Sequence, residues 1–186
     1  MQQKLDFLRQ SLRNLRMTGS VAPSSRFLCR RIADKIDPEK TGVVVELGPG
    51  DGVITDYILK RLHPDGRLLV FEINDTFVAK IKTRFEDPRL MLIHDSAAHM
   101  GRHFEKMGIE KVDYIVSGIP FVMLDEALSE AIIQECRNWL ATGGLFVQFH
   151  YSPLLLKVYR RIFGNARVEF IPLNIPPALV ITCHKN

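Results

Sequence analysis

Long apolar runs are missing from this 186-residue chain. None approaches the ~18 residues that span a bilayer, and the first residues carry Lys4, Asp6 and Arg9 where a secretory signal needs an apolar core. The sequence therefore predicts a protein that stays on one side of a membrane. Cysteine is scarce: Cys29, Cys136 and Cys183 are far apart, odd in number and outside any C-x-x-C or metal-ligand spacing. That excludes a disulfide framework, predicts no metal, and reads as reduced thiols in a cytoplasmic protein. Internal repeats and low-complexity stretches are also lacking, which excludes a solenoid. What is present is 46% hydrophobic residues, enough for one substantial core but too short a chain for a second domain of ordinary size.

Charge is unevenly spread. Residues 1–31 hold Lys4, Arg9, Arg13, Arg16, Arg26, Arg30 and Arg31 against Asp6, a balance of +6, so the rest must total 4 − 6 = −2. Leu5, Leu8, Leu12 and Leu15 recur at helical spacing and form one apolar stripe, flanked by Arg9, Arg13 and Arg16. Residues 1–23 thus read as a basic amphipathic helix and linker, and 24–186 as the domain proper. Such a helix suits an anionic membrane surface, where each basic residue contributes about 1 kcal/mol. A lid packed on the domain, or a segment touching RNA phosphates, would have the same composition.

The densest signal is Val43-Val-Val-Glu-Leu-Gly-Pro-Gly-Asp-Gly52. A buried strand runs into Glu46 and then Gly48, Gly50 and Gly52, which permit positive φ and close approach of backbone to a ligand. A helix from about Val53 to Leu62 would point its N–H groups at the same place. A dinucleotide fingerprint has the spacing G-x-G-x-x-G, whereas this chain has E-x-G-x-G-x-G. Downstream, Leu68–Phe71 ends in Glu72, a carboxylate placed to accept ribose hydroxyls, and Leu90–Ile93 leads to Asp95 and Ser96. These strand-then-acid junctions resemble class I S-adenosylmethionine methyltransferases. The resemblance implies S-adenosyl-L-methionine as cofactor, with Asp95 at the adenine and a binding set of Glu46, Gly48, Pro49, Gly50, Gly52, Glu72, Ile73, Asp95, Ser96 and Ser117.

Strand and helix patterns alternate along the remainder: strands over 43–47, 68–72, 90–93, 112–117, 144–150, 166–171 and 178–184. Helices are predicted from Ser24 or Ser25 to about Ile36, then over 53–62, 75–85, 97–107, 125–140 and 153–163. The fold class is α/β: a Rossmann-like, doubly wound sheet of seven strands, mostly parallel. The Pro-rich turn before 178 has no room for a helix, so the last two strands should form an antiparallel hairpin.

The fourth strand ends Ser117-Gly118-Ile119-Pro120-Phe121. Enzymes that methylate an exocyclic base amine, among them the ribosomal adenine dimethylases, resemble it in the Pro-aromatic pair but carry Asn or Asp where Ser117 stands. The whole chain more closely resembles the bacterial phospholipid N-methyltransferases. The shared segments are Phe7-Leu8-Arg9, Gly19-Ser-Val-Ala-Pro-Ser-Ser-Arg26, Val45–Gly50, Ser117–Pro120 and Asn174-Ile-Pro-Pro-Ala178. Asp51 departs from that family, which more often has Thr. The resemblance implies stepwise methylation of the ethanolamine headgroup of a phospholipid by a peripherally membrane-associated enzyme, with RNA as the alternative acceptor.

Methyl transfer to an amine needs in-line alignment near ~3 Å, exclusion of water and an outlet for a proton. Candidate acceptor-side residues are Ser117, Pro120, Phe121, His150 and Tyr151. His150 and Tyr151 would orient the headgroup or relay its proton, or else simply cap a strand. Phe121 and Tyr151 could face a quaternary cation. Arg26, Lys157 and Arg160 are candidates for a phosphate.

Overall fold

A computed structural model describes residues 24–39 and 42–186. The amphipathic stripe Leu5–Leu15 and the expected 1–23 segment lie outside the described residues.

Helix α1 (Arg26–Ala33) starts where the Ser25 hydroxyl accepts the Leu28 N–H, and it buries Leu28, Cys29 and Ile32. It stops short of the predicted Ile36, because Lys35 and Ile36 already donate to carbonyls three residues back as the chain tightens toward Asp37-Pro38. Then come β1 (Val43–Leu47), α2 (Val53–Arg61), β2 (Arg67–Phe71), α3 (Asp75–Arg84) and β3 (Leu90–Ile93). A 3-10 turn at Ala97–His99 leads into α4 (Met100–Lys106), followed by β4 (Val112–Ser117), a second 3-10 turn at Phe121–Met123 and α5 (Glu126–Trp139). The chain continues with β5 (Leu140–His150), α6 (Leu156–Phe163), β6 (Arg167–Ile171) and β7 (Ala178–His184).

The seven strands form one sheet in the order β3-β2-β1-β4-β5-β7-β6. The first five are parallel, while β7 is antiparallel to both β5 and β6, which is the hairpin expected from the short Pro-rich turn. Strand β5 begins four residues before the predicted 144. Gly143 takes φ +80° and a Cβ on Gly144 would lie 2.9 Å from two carbonyl oxygens, so this glycine pair lets the strand kink out of register and still continue.

Side chains of β1 alternate between two cores. Val43, Val45 and Leu47 pack with Phe104, Ile133, Cys136 and Tyr159 under α4, α5 and α6, whereas Val44 packs with Leu28, Ile32, Ile58 and Leu59 under α1 and α2. All three cysteines are buried and free. Arg31 of α1 and Lys35, in the turn just beyond it, both pair with Glu169 of β6, holding that helix over the hairpin. Successive connections run outward from β1 to β3 and then return to β4 on the opposite side. This leaves a crevice at the carboxyl ends of β1 and β4, where ligands bind in open α/β sheets.

Candidate active site

A cleft of about 640 Å³ opens at that switch point, a size within the roughly 300–1,000 Å³ of small-molecule sites. Its floor on one side is the loop after β1. Gly48, Gly50 and Gly52 have φ of +67°, +63° and +79°, so each requires glycine. Gly48, Pro49, Gly50 and Asp51 line the cleft, as do Val53 and Ile54 in the first turn of α2. Gly52 does not: a Cβ there would lie 2.7 Å from Ile81 and from Phe85, so this glycine lets α2 close onto α3 and its neighbouring loop. Gly118 has a related duty, since its Cβ would sit 2.6 Å from the Gly48 carbonyl oxygen.

Glu72, at the tip of β2, lines the cleft with Ile73 and Asn74. Its carboxylate accepts backbone N–H bonds from Gly50 (3.3 Å), Ile73 (2.9 Å) and Asn74 (2.8 Å), which fix it against the glycine loop. Asp95 and Ser96 line the same wall from the end of β3. Asp95 meets His99 Nδ1 at 2.9 Å and His103 Nε2 at 2.8 Å. Burial alone would raise its pKa, but the bonds from His103, His99 and the Ser96 amide outweigh burial and hold it at about 2. Two carboxyl groups at adjacent strand tips thus face one crevice.

Glu46 is placed differently. It is buried on the α2 face of β1, outside the cleft lining, with Thr55 Oγ1 donating to it at 2.6 Å. Burial, opposed by the Thr55 bond and reinforced by the nearby Glu72 and Asp51 charges, raises its pKa to about 8. Its carboxyl is neutral at pH 7.

On the acceptor side, Pro120, His150 and Tyr151 line the cleft, joined by Ile119, Val122, Met123, Leu124 and Phe149. Ser117 and Phe121 do not line it. Ser117 is fully buried and its hydroxyl accepts the Ile119 N–H at 3.2 Å, bracing the loop from behind. The Phe121 ring is in the core. His150 Nε2 lies 2.7 Å from the Tyr159 hydroxyl, and desolvation lowers the imidazole pKa to about 4, so the ring is neutral at pH 7. Tyr151 packs edge-on against Phe149. Arg26, Lys157 and Arg160 do not line the cleft; the Arg26 guanidinium lies over the Phe27 ring.

Several lining residues went unmarked in the sequence. Thr76, Phe77 and Lys80 face the cleft from α3, and Ser24 faces it from the approach to α1. The signal for α3 was its position directly after Glu72. Ser24 is held by a longer reach: Asn174 accepts the Ser25 N–H through Oδ1 (2.9 Å) and donates through Nδ2 to the Pro176 carbonyl (2.7 Å). The two segments singled out in the sequence, around Ser24-Ser25 and Asn174–Ala178, are therefore in direct contact.

Positive-φ glycines under a helix start, a clamped carboxylate after β2 and a second one after β3 define the class I methyltransferase crevice, and they fit a nucleoside with an amino-acid arm. The solved O-methyltransferase of Bacillus cereus in complex with SAH has the same fold, with a TM-score of 0.69 at 13% identity over 96% of this chain and 90% of that one. The ribosomal RNA adenine dimethylase family model matches residues 23–132. The chain belongs to that family and is an S-adenosylmethionine-dependent methyltransferase. Over 89% of its length it is 34% identical to the ornithine lipid N-methyltransferase of Singulisphaera acidiphila, covering 87% of that protein. It is 29% identical over 56% of its length to ribosomal RNA small subunit methyltransferase A of Mycoplasma mycoides, but spans only 39% of that relative. No group of three or more metal-ligating side chains occurs among the described residues.

Proposed function

We propose that the acceptor is the primary amine of a lipid headgroup, specifically phospholipid ethanolamine, methylated at a membrane surface. One observation carries this reading. The three loops on the acceptor side of the cleft, residues 118–124, 151–155 and 172–177, contain no Asp, Glu, Lys, Arg or His in 7 + 5 + 6 = 18 residues. An RNA acceptor would bring a phosphate backbone to this side, and phosphate contacts are made largely by cations. The near full-length similarity to a lipid N-methyltransferase supports the same conclusion, whereas the similarity to the rRNA enzyme spans the smaller part of that protein.

In this reading the glycine loop and Glu72 hold the amino-acid arm and ribose of S-adenosylmethionine, and Asp95 with Ser96 holds its adenine. When bound, the cofactor supplies an electrophilic methyl group on a sulfonium. Pro120, Ile119 and Phe149 exclude water from the amine. His150, being neutral with a pKa near 4, is a weak base and serves as a hydrogen-bonding partner that orients the headgroup. The ammonium proton departs to solvent before attack. Tyr151 faces the headgroup as methyl groups accumulate.

The test offers labelled S-adenosylmethionine and three acceptors in parallel: phosphatidylethanolamine vesicles, ornithine-lipid vesicles and ribosomal RNA. Label in the ethanolamine lipid is expected. Label in RNA alone would overturn the lipid reading, and label in ornithine lipid alone would replace the headgroup.

A further inference from the structure

Ten large hydrophobic side chains are exposed among the described residues, and their distribution is uneven. Six of them, Val122, Met123, Tyr151, Leu154, Leu173 and Ile175, lie on the three uncharged loops around the acceptor side of the cleft. Leu154 is 75% exposed, Leu173 60% and Ile175 80%. Isolated apolar residues are ordinary on a surface, but a set that rims one opening marks an interaction site.

Strand pairing brings the loops together. His150 pairs with Leu179 and Ile171 with Ala178, so loops 151–155 and 172–177 leave the same end of the strands, and Ser117 beside Gln148 brings loop 118–124 to their side. The rim is also braced: Asn174 is buried and ties its loop to Ser25, so Leu173 and Ile175 project from a fixed turn. The opposite side of the cleft carries Asp51, Glu72 and Asp95. One mouth thus has a charged wall and an apolar lip.

The sequence that precedes Ser24 indicates what covers that lip. Residues 1–23 precede Ser24, which lines the cleft, and their sequence holds Lys4, Arg9, Arg13 and Arg16 against Asp6, a net +3, with Leu5, Leu8, Leu12 and Leu15 spaced three and four apart. A basic, leucine-bearing sequence leading into a cleft that has an uncharged apolar lip matches the chemistry of an anionic lipid surface, phosphate outside and hydrocarbon beneath. A nucleic-acid or acidic protein partner would meet the charge but leave the lip without a counterpart.

We infer that Leu154, Leu173 and Ile175 enter the acyl layer of a lipid surface, seating the cleft mouth on the membrane so that a headgroup amine rises into it without the lipid leaving the bilayer. This rests on the lipid reading above and adds the surface that delivers the substrate.

The experiment uses the full chain and vesicles of phosphatidylethanolamine and phosphatidylglycerol. The double variant Leu154→Asp/Ile175→Asp changes only exposed side chains outside the cleft lining, so S-adenosylhomocysteine affinity by calorimetry should stay within twofold of wild type. Vesicle sedimentation and methylation of vesicle lipid should each fall at least tenfold. In a second measurement, Leu154→Trp should be quenched by vesicles with brominated acyl chains. The wild type, whose one tryptophan is Trp139 in α5, is the reference and should not be. Unquenched Leu154→Trp with undiminished lipid methylation by the Asp variant would overturn the insertion while leaving the lipid acceptor intact. A blue-shifted Leu154→Trp before vesicles are added would show the lip covered by protein, either residues 1–23 or a second copy, and would also overturn it. A wild type that methylates no lipid would remove the lipid reading itself.

Discussion

Glu46→Gln should make the protein more stable at neutral pH, although it removes a charge-capable residue from the most distinctive motif in the chain. In the folded state burial lifts the Glu46 pKa from 4.5 to about 8. Because the folded value lies above the unfolded one, the stability this carboxyl contributes is fully present below pH 4.5 and is lost as pH rises toward 8. At pH 7 the unfolded chain has ionised and the folded one has not, a difference of about 2.5 pH units or about 3 kcal/mol against folding. Glutamine carries no proton to lose and keeps an oxygen for the Thr55 hydroxyl, so up to that amount is recovered. Urea unfolding at pH 5, 6, 7 and 8 is the assay. The gain of the variant over wild type should grow by about 1 kcal/mol per pH unit across this range. Parallel pH profiles for the two proteins would refute a neutral buried Glu46.

Other outcomes test the cleft. Gly118→Ala puts a Cβ 2.6 Å from the Gly48 carbonyl oxygen, so the loops must part; stability should fall by about 1–3 kcal/mol and cofactor affinity by tenfold or more in calorimetry. Glu72→Gln replaces one accepting oxygen with a donor amid three backbone N–H groups, and should weaken cofactor binding by about 1–3 kcal/mol; unchanged affinity would remove Glu72 from the ribose. Tyr159→Phe leaves the buried His150 Nε2 without its partner, and should cost about 1–3 kcal/mol in thermal unfolding and lower kcat with little change in KM for the cofactor. A KM effect equal to the kcat effect would argue against orientation by His150.

Much of this architecture was readable because parallel strands buried in a sheet are nearly unbroken apolar runs, and those of β2 and β3 stop at Glu72 and at His94-Asp95, which mark their carboxyl ends. Glu72, directly after Phe71, and Asp95, two residues after Ile93, both line the crevice. Glu46 falls inside its strand, so its direction follows from two-residue alternation: with Val43, Val45 and Leu47 toward one core, Glu46 must point to the other, behind the loop. Side-chain direction in irregular segments has no such rule. Whether Ser117 and Phe121 look into the cleft or away from it depended on the turn after β4, where Ser117 Oγ takes the Ile119 N–H and the ring of Phe121 drops into the core. The helix predicted from 153 starts at Leu156, which leaves residues 151–155 as the loop carrying Tyr151 and Leu154. A proline at 153 permits either start.

The amide of Asn174 bridges segments 149 residues apart. Because the entry of the fold is anchored to its closing hairpin by one side chain, a chimaera that exchanged either segment alone would lose the anchor. Recombination with a relative would have to carry both pieces as a matched pair, and a donor lacking an amide at that turn would leave the threshold of the cleft unlatched.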